Sequence, residues 1–562
     1  MSITPFRQVM LLLLATWTLP NASFAQFSKN YTPIKLSGDV PIEFRQSARD
    51  LSLKELEERD KKQLKLSRKE SKEYFTLSNY AQNRLFRSGI VYHNDELTEY
   101  VNSVAQILLV NDPKLKQELK IFVTRSTFPN ASSWRNGCIF FNIGLIKYLD
   151  SEAQLAFILA HEITHYVRRH SLLKFRNEKS IERQGVFRHD EVEQMLASMK
   201  YSRERELEAD LDGMEMLLTS PYDPVEAISA LELLRTVGKD TNTVNLDLTS
   251  IFRIDSLDFD SLDICQTEPE EEEEVAFGEE AKTTSKAYYL TGLDNDESPQ
   301  DSTVSGSAKL EKKNVGFIEE GEGEEEGDQE EEEEMPAEEE EEEEEEETEE
   351  GTGEEPEADQ EEIAEEEEDL TYLLSTHPAI KERVAVIQEI LDSRKPRPGQ
   401  KFLLDAAKFE RIKLLTRFES VQYYYRVFSY RRAAYEALVL MREFPNNQYL
   451  HLMAAKSLYW YAYYRDDWGG SGNLEEGEYA GPAIDHWYCF LDYLDQDQTQ
   501  EMVLNLLEDY GKQFPDEDEL LILKGRLLRQ MDQKKASKEA FRAYVDRFPK
   551  GAHVEFAKRQ LK

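Results

Sequence analysis

Apolar positions along the chain follow two periods, and the change of period marks out the fold. In DELTEYVNSVAQILLV, from Asp95, and DSEAQLAFILAHEITHYVRRH, from Asp150, they recur three and four residues apart. That spacing predicts amphipathic helices. Between them LKIFVTRS and CIFFNIG alternate briefly, which predicts strands. A mainly α domain with a small β element is expected over 76–265. The preceding 26–75 is polar and charged, with helical stretches such as SLKELEERDKKQLKLSRKESKEYF, and predicts a lead-in with little core of its own.

Past position 400 helical spacing returns with a longer regularity. Helix-ending segments close on Phe444-Pro445, Phe514-Pro515 and Phe548-Pro549, the last two 34 residues apart and the first two 70 apart. The longer gap is close to two periods and contains the Gly-rich stretch DDWGGSGNLEEGEYAGP. A 34-residue helix–turn–helix period ending in Pro resembles tetratricopeptide repeats. Residues 400–562 are therefore expected to form a TPR-like α-helical repeat domain, a binding scaffold rather than a catalyst. In its last repeat Gly525, Ala536, Ala540 and Tyr544 fall where small and aromatic contacts let two helices pack.

Charge divides the chain again. Residues 266–370 hold 48 of the 113 acidic residues and 5 of the 68 basic ones, so this tract carries nearly all of the net charge of −45. The remaining 65 acidic and 63 basic side chains almost cancel. Such a tract buries almost nothing and is expected to be disordered. Closing it as a loop costs a folded domain roughly 4 kcal/mol plus a constant, which is tolerable. No segment has the basic excess that nucleic acid requires, so none is expected as a partner.

The N-terminus points to export. Met1–Pro20 has one basic residue, Arg7, then VMLLLLATWTLP, and Ser23-Phe24-Ala25 puts small residues at −3 and −1 of a cut before Gln26. This predicts a cleavable signal peptide over 1–25. About a dozen apolar residues fall short of the roughly 20 that span a bilayer, so no transmembrane anchor is expected after cleavage. Cys138, Cys265 and Cys489 are too few for a disulfide framework, lack zinc-ligand spacing, and leave at least one free thiol or an intermolecular bond. Cys138 reads as a packing residue.

The chemistry concentrates in His161-Glu162-Ile163-Thr164-His165, within a run that reads as one helix through His170, capped by Ser151 and Gln154. Leu155, Ile158, Leu159 and Ile163 supply its apolar face. Histidines four apart project from one helix face and can hold one metal ion. Glu162, offset by about 100°, misses the metal but reaches a water on it. A second helical segment, YSRERELEADLDGMEMLL, carries Glu206 and Asp210, again four apart. A Glu beside two His leaves zinc one open position, as catalytic sites require. Asp210 is placed to accept the outer N–H of a ligating histidine. Glu204, Glu208 and Asp212 read as solvated surface.

HEITHYVRRH followed by SRERELEAD resembles the HtpX and CaaX-prenyl-protease family of zinc metalloendopeptidases, whose pattern is HExxH and then SRxxExxAD. NASSWRNGCIFFNIGL at 130–145, SPYDPVEAISALELL from Ser220 and THPAIKERV from Thr376 match further stretches of that family. The resemblance covers roughly 76–240 and 371–392. It implies a zincin-like, gluzincin-type peptidase domain over 76–265, completed by 371–395. It implies one Zn2+ per chain on His161, His165 and Glu206, with Glu162 as general base and Asp210 behind a ligand. His377 and Arg383 are implied near the reaction, either stabilising the oxyanion or, for His377, taking the open zinc position in a resting enzyme. Lacking the family's membrane helices, the chain resembles instead the soluble, periplasmic BepA-like branch, in which repeats follow the peptidase. That likeness implies protein or peptide substrates, unfolded or misassembled, with outer-membrane assembly machinery as a partner of the repeats. The competing reading is a chaperone or adaptor that binds clients without cleaving them. An extended substrate is expected to pair with CIFFNIG or KIFVTRS.

Overall fold

The computed structural model describes residues 27–35, 40, 44–58, 64–93, 95–183, 191–236, 246–254, 257, 380–465 and 482–562. The expected signal peptide, the acidic tract, Cys265, His377 and the Gly-rich stretch at 466–481 lie outside the described residues.

Helices α1 (Ala48–Glu58), α2 (Arg68–Arg87), α3 (Glu96–Leu108) and α4 (Pro113–Glu118) precede strands β1 (Lys120–Thr124), β2 (Ala131–Ser133) and β3 (Cys138–Asn142). Then come α5 (Ile143–Ile146), α6 (Glu152–Val167), α7 (His170–Arg183), α8 (Glu191–Leu218), α9 (Glu226–Thr236), α10 (Leu248–Ile251) and α11 (Ile380–Arg394). The rest is helical: α12 (Ala406–Arg426), α13 (Tyr430–Glu443), α14 (Gln448–Tyr464), α15 (Pro482–Tyr493), α16 (Gln496–Gln513), α17 (Asp518–Gln530), α18 (Lys534–Arg547) and α19 (Val554–Leu561). Among the described residues no helix is long and apolar enough to cross a membrane.

The sheet has the order β1-β3-β2. β1 runs parallel to β3, with Lys120 opposite Cys138, and β2 runs antiparallel, with Ala131 opposite Phe141. β3 is thus paired on both sides. The outer edge of β1 is covered, since Tyr92 N donates to Val123 O at 2.9 Å and Arg125 N to Ile90 O at 2.8 Å. Neither CIFFNIG nor KIFVTRS therefore offers an edge to a substrate strand, contrary to the sequence expectation. The remaining edge of the sheet is β2, three residues too short to show an alternation.

Helix α6 is buried from Glu152 to Thr164, polar residues included, and packs against α3, α8, α9 and β2. An all-round buried helix belongs at the centre of a core. Ser151 Oγ accepts from Gln154 N at 3.2 Å, but Gln154 Oε1 turns to Asp150 N at 2.7 Å, so the expected reciprocal capping box is not made. Glu152, in the first turn, is a buried hub. Its Oε1 accepts from the Tyr222 hydroxyl at 2.6 Å and from Leu403 and Leu404 N at 3.2 Å each, and Oε2 from the Tyr100 hydroxyl at 2.7 Å. The connection from α11 to α12 thereby lies across the start of α6. It is held there because Gln400 N donates to Pro221 O and Asp223 N to Gln400 O, both at 3.1 Å. A Cβ on Gly399 would sit 2.2 Å from Tyr222 O, so the approach requires glycine.

The lead-in is not peripheral. Phe27 and Tyr31 are buried in the core cluster that includes Phe418 and Tyr449. Glu419 accepts from the Tyr31 and Tyr92 hydroxyls at 2.5 Å each and from Ile34 N at 2.7 Å, so the segment is strapped between α12 and the chain ahead of α3. Two aromatics in a polar stretch are too sparse to register as a period. Helix α2 also runs straight through the boundary expected at 75/76.

In the C-terminal helices the Phe-Pro segments share one geometry. Phe444, Phe514 and Phe548 have φ/ψ of −126/64°, −120/69° and −122/60°, and their N–H groups donate to Leu440, Tyr510 and Tyr544 O. Ser537 Oγ donates to Gly525 O at 2.7 Å, while the Phe541 ring fills the space where a Cβ on Gly525 would lie. Cys138 is fully buried and its Sγ accepts from Gln82 Nε2 at 3.1 Å, and Cys489 is disulfide-bonded.

Candidate metal centre

Two helices build the centre. α6 supplies His161, Glu162 and His165, and α8 crosses it closely at Gly213, where a Cβ would lie 3.0 Å from His161 N. That crossing brings Glu206 to the histidines. His161 Nε2 and His165 Nε2 lie 3.0 Å apart, and the Glu206 oxygens are 3.5 Å from each of them. Donors about 2.0–2.2 Å from a tetrahedral zinc stand roughly 3.3 Å from one another, so the three ligand atoms fit that ion.

Behind His161 lies Asp210, fully buried, with Oδ1 2.9 Å from His161 Nδ1. This contact leaves Nε2 facing Glu206 and His165. Arg383, reaching in from α11, donates through Nε to Asp210 Oδ2 at 2.6 Å and through Nη2 to Oδ1 at 2.7 Å. The guanidinium expected at the oxyanion is therefore engaged by the carboxylate behind His161. Because α11 is near the far end of the domain in sequence, nothing in a local pattern reveals that pairing.

Electrostatics in the metal-free pocket separate the two histidines. Burial disfavours charge on His161, but hydrogen bonds to Asp210 and Glu206 prevail and raise its pKa to about 10. Burial, reinforced by the neighbouring His161 charge, lowers His165 to about 3. Burial also pushes Glu162 up to about 7, with Glu206 adding to the shift and His161 and Arg383 opposing it. A carboxyl poised there suits proton transfer at neutral pH.

Two local expectations need correction. α6 ends at Val167, not at His170: Arg169 takes a left-handed φ of 55°, and His170 opens α7. Glu208 is not simply solvated, because it pairs with Arg205 and lies 3.2 Å from His170 Nε2. Glu204 is half-exposed, and Asp212 pairs with Arg168 at 2.6 Å on the surface. Sequence reasoning passes over His170, whose only local signal is its place five residues beyond His165.

The family model described as Peptidase family M48 matches residues 93–391, more than half of the chain. The chain belongs to peptidase family M48. M48 peptidases are zinc metalloproteases, and the matched stretch contains α6, α8 and most of α11, the helices that supply His161, His165, Glu206, Asp210 and Arg383. It stops short of α12–α19. Comparison with curated proteins finds no match for the chain. As an M48 peptidase the protein is a metalloprotease, and its substrates are proteins or peptides.

Proposed function

We propose that this M48 peptidase is a zinc-dependent endopeptidase of the periplasm that cleaves unfolded or misassembled proteins. The observation that carries the reading is the convergence of His161, His165 and Glu206, with Glu162 beside them, inside the family match. His161, His165 and Glu206 would hold one zinc ion. Zinc bound there supplies the Lewis acidity that activates water and polarises the scissile carbonyl. Glu162 would take the water proton and return it to the leaving amine. Asp210 orients His161, and Arg383 holds Asp210 in place.

An extended substrate would add as a strand along β2, the edge next to α6 that no other strand pairs with among the described residues. Periplasmic location is supported by the leader pattern at 1–25. The shared helix ends at Phe444, Phe514 and Phe548 support a TPR-like reading of α12–α19. Those repeats would recruit unfolded clients or an outer-membrane assembly partner.

The test uses purified full-length protein, casein and an unfolded outer-membrane protein as substrates. Wild type should carry about one zinc per chain and cleave both substrates. Glu162→Gln should keep the metal and lose cleavage by at least about 100-fold. Equal behaviour of the two proteins on both substrates would reject the enzyme reading in favour of a client-binding adaptor.

A further inference from the structure

The two histidines of the metal centre differ in what stands behind them. His161 turns its outer nitrogen to Asp210. His165 turns its outer nitrogen, Nδ1, to another ring: His170 Nδ1 lies 2.9 Å away, and the rings meet almost edge-on at 83°. On the far side His170 Nε2 lies 3.2 Å from Glu208 Oε2. His170 is buried, and Glu208 is held in turn by Arg205 and, at 3.6 Å, by Arg168.

We infer that His170 and Glu208 are a positioning pair for the metal ligand His165. This rests on the metal-site reading above. The tautomers follow from the contacts. If His165 presents its Nε2 lone pair to a metal, its Nδ1 carries the hydrogen and donates it to His170 Nδ1. His170 must then carry its own hydrogen on Nε2, where Glu208 accepts it. Every nitrogen of both rings has a defined role, and His165 is locked in the tautomer that ligation needs. Glu206, Glu208 and Asp210 thus serve one centre from one helix: the first as ligand, the second behind His165 through His170, the third behind His161.

The backbone explains why His170 can do this. Five residues along an unbroken helix correspond to about 500°, which would turn His170 roughly 140° away from His165. Arg169 breaks the helix with its left-handed φ of 55°, and its carbonyl accepts from Leu172 N at 3.0 Å and Leu173 N at 3.1 Å as α7 starts. The chain reverses its facing, and the His170 ring returns to His165.

The experiment measures zinc affinity of the full-length protein by competition with a chromophoric chelator, and the visible spectrum of the cobalt-substituted protein. His170→Ala should bind zinc about 10–100-fold more weakly than wild type and shift the cobalt bands as His165 loses its orientation. His170→Asn, whose side-chain oxygen can stand at the Nδ1 position, should recover most of the affinity. Glu208→Ala should weaken binding several-fold with the fold intact by circular dichroism, and it decides the matter should His170→Ala fail to fold. Wild-type affinity and an unchanged cobalt spectrum in His170→Ala, or in Glu208→Ala where the first does not fold, would overturn the inference. A wild-type protein that itself binds no zinc would overturn the underlying site reading instead, which keeps the two failures distinct.

Discussion

Arg383 grips Asp210 by two hydrogen bonds, Nε to Oδ2 at 2.6 Å and Nη2 to Oδ1 at 2.7 Å, across 173 positions of sequence. Both partners are buried, and burial alone would raise the Asp210 pKa; Arg383 and His161 more than offset it and hold the carboxyl below its usual range. Removing the arginine leaves a buried carboxylate facing His161 without its main partner. Arg383→Ala should lose about 3 kcal/mol of stability in urea denaturation. It should also bind zinc some 10–100-fold more weakly, because Asp210 no longer has a fixed orientation. Arg383→Lys restores the charge but not the two-point geometry, and should recover stability in part while zinc affinity stays low. Wild-type zinc affinity in Arg383→Ala would mean that the pair only holds α11 to α8.

Zinc itself should link α6 to α8, since His161 and His165 come from one and Glu206 from the other. A ligand bound only by the folded state adds about 2.7 kcal/mol when present at 100 times its Kd. Chelation should therefore lower the Tm by several degrees and abolish cleavage, and zinc should restore both. Glu206→Gln should show a low Tm at matched zinc, with little response to added chelator. Differential scanning fluorimetry with and without chelator checks all of these.

The centre is legible in sequence where its parts are local. His161 and His165 share a helix face, Glu206 and Asp210 share another, and the apolar period around each marks the helices. What lies beyond one helix is not legible. The partner of Tyr31, Glu419, is 388 positions away, and no single sequence displays that pairing. The break at Arg169 is hidden for a different reason: a left-handed turn usually announces itself by Gly or Asn, and here an Arg in a polar run adopts it. Strand β2 spans only Ala131–Ser133, too short for a period-two pattern. The roles of Arg383 and Glu208 fail on the same ground, because charged residues in helical stretches look alike until their partners are placed.

Glu152 makes a further test, in the first turn of the helix that carries His161 and His165. Its carboxylate accepts from two tyrosine hydroxyls and two backbone amides, all drawn from other segments. Glu152→Ala removes the acceptor from four donors, two of them buried tyrosine hydroxyls, and an unmet buried donor costs roughly 1–3 kcal/mol, so a loss of about 3 kcal/mol is expected. Glu152→Gln keeps an acceptor for part of the set and should cost less. Proteolytic nicking in 395–405 should rise in the alanine variant, because Leu403 and Leu404 lose the contact that holds the connection against α6. Unchanged protection there would mean that the Tyr222–Gln400 bridge suffices alone.

The acid sensitivity of the fold should be readable at Lys147 and Glu436. Lys147 follows α5 and reaches Glu436 on α13, with Nζ 3.6 Å from Oε1, while Arg432 approaches the same oxygen at 3.0 Å. Burial pushes the Glu436 carboxyl up, but Lys147 and then Arg432 pull harder, and its pKa ends below the ordinary 4.5. A carboxyl whose pKa is depressed by folding stabilises the native state fully above its unfolded value and loses that contribution as pH falls through the folded one. The pair should therefore stabilise the protein above about pH 4.5 and fail progressively below it. Glu436→Gln removes the titrating group, so its stability should fall less steeply than wild type between about pH 4.5 and 3. Lys147→Met should cost about 3 kcal/mol at neutral pH, the low end for breaking a buried pair, since Arg432 remains beside the carboxylate. That cost should shrink as the pH drops and Glu436 is neutralised. Urea titrations of the three proteins from pH 7 to about 3 check the sign. Equal slopes for wild type and Glu436→Gln would place the acid-sensitive group elsewhere.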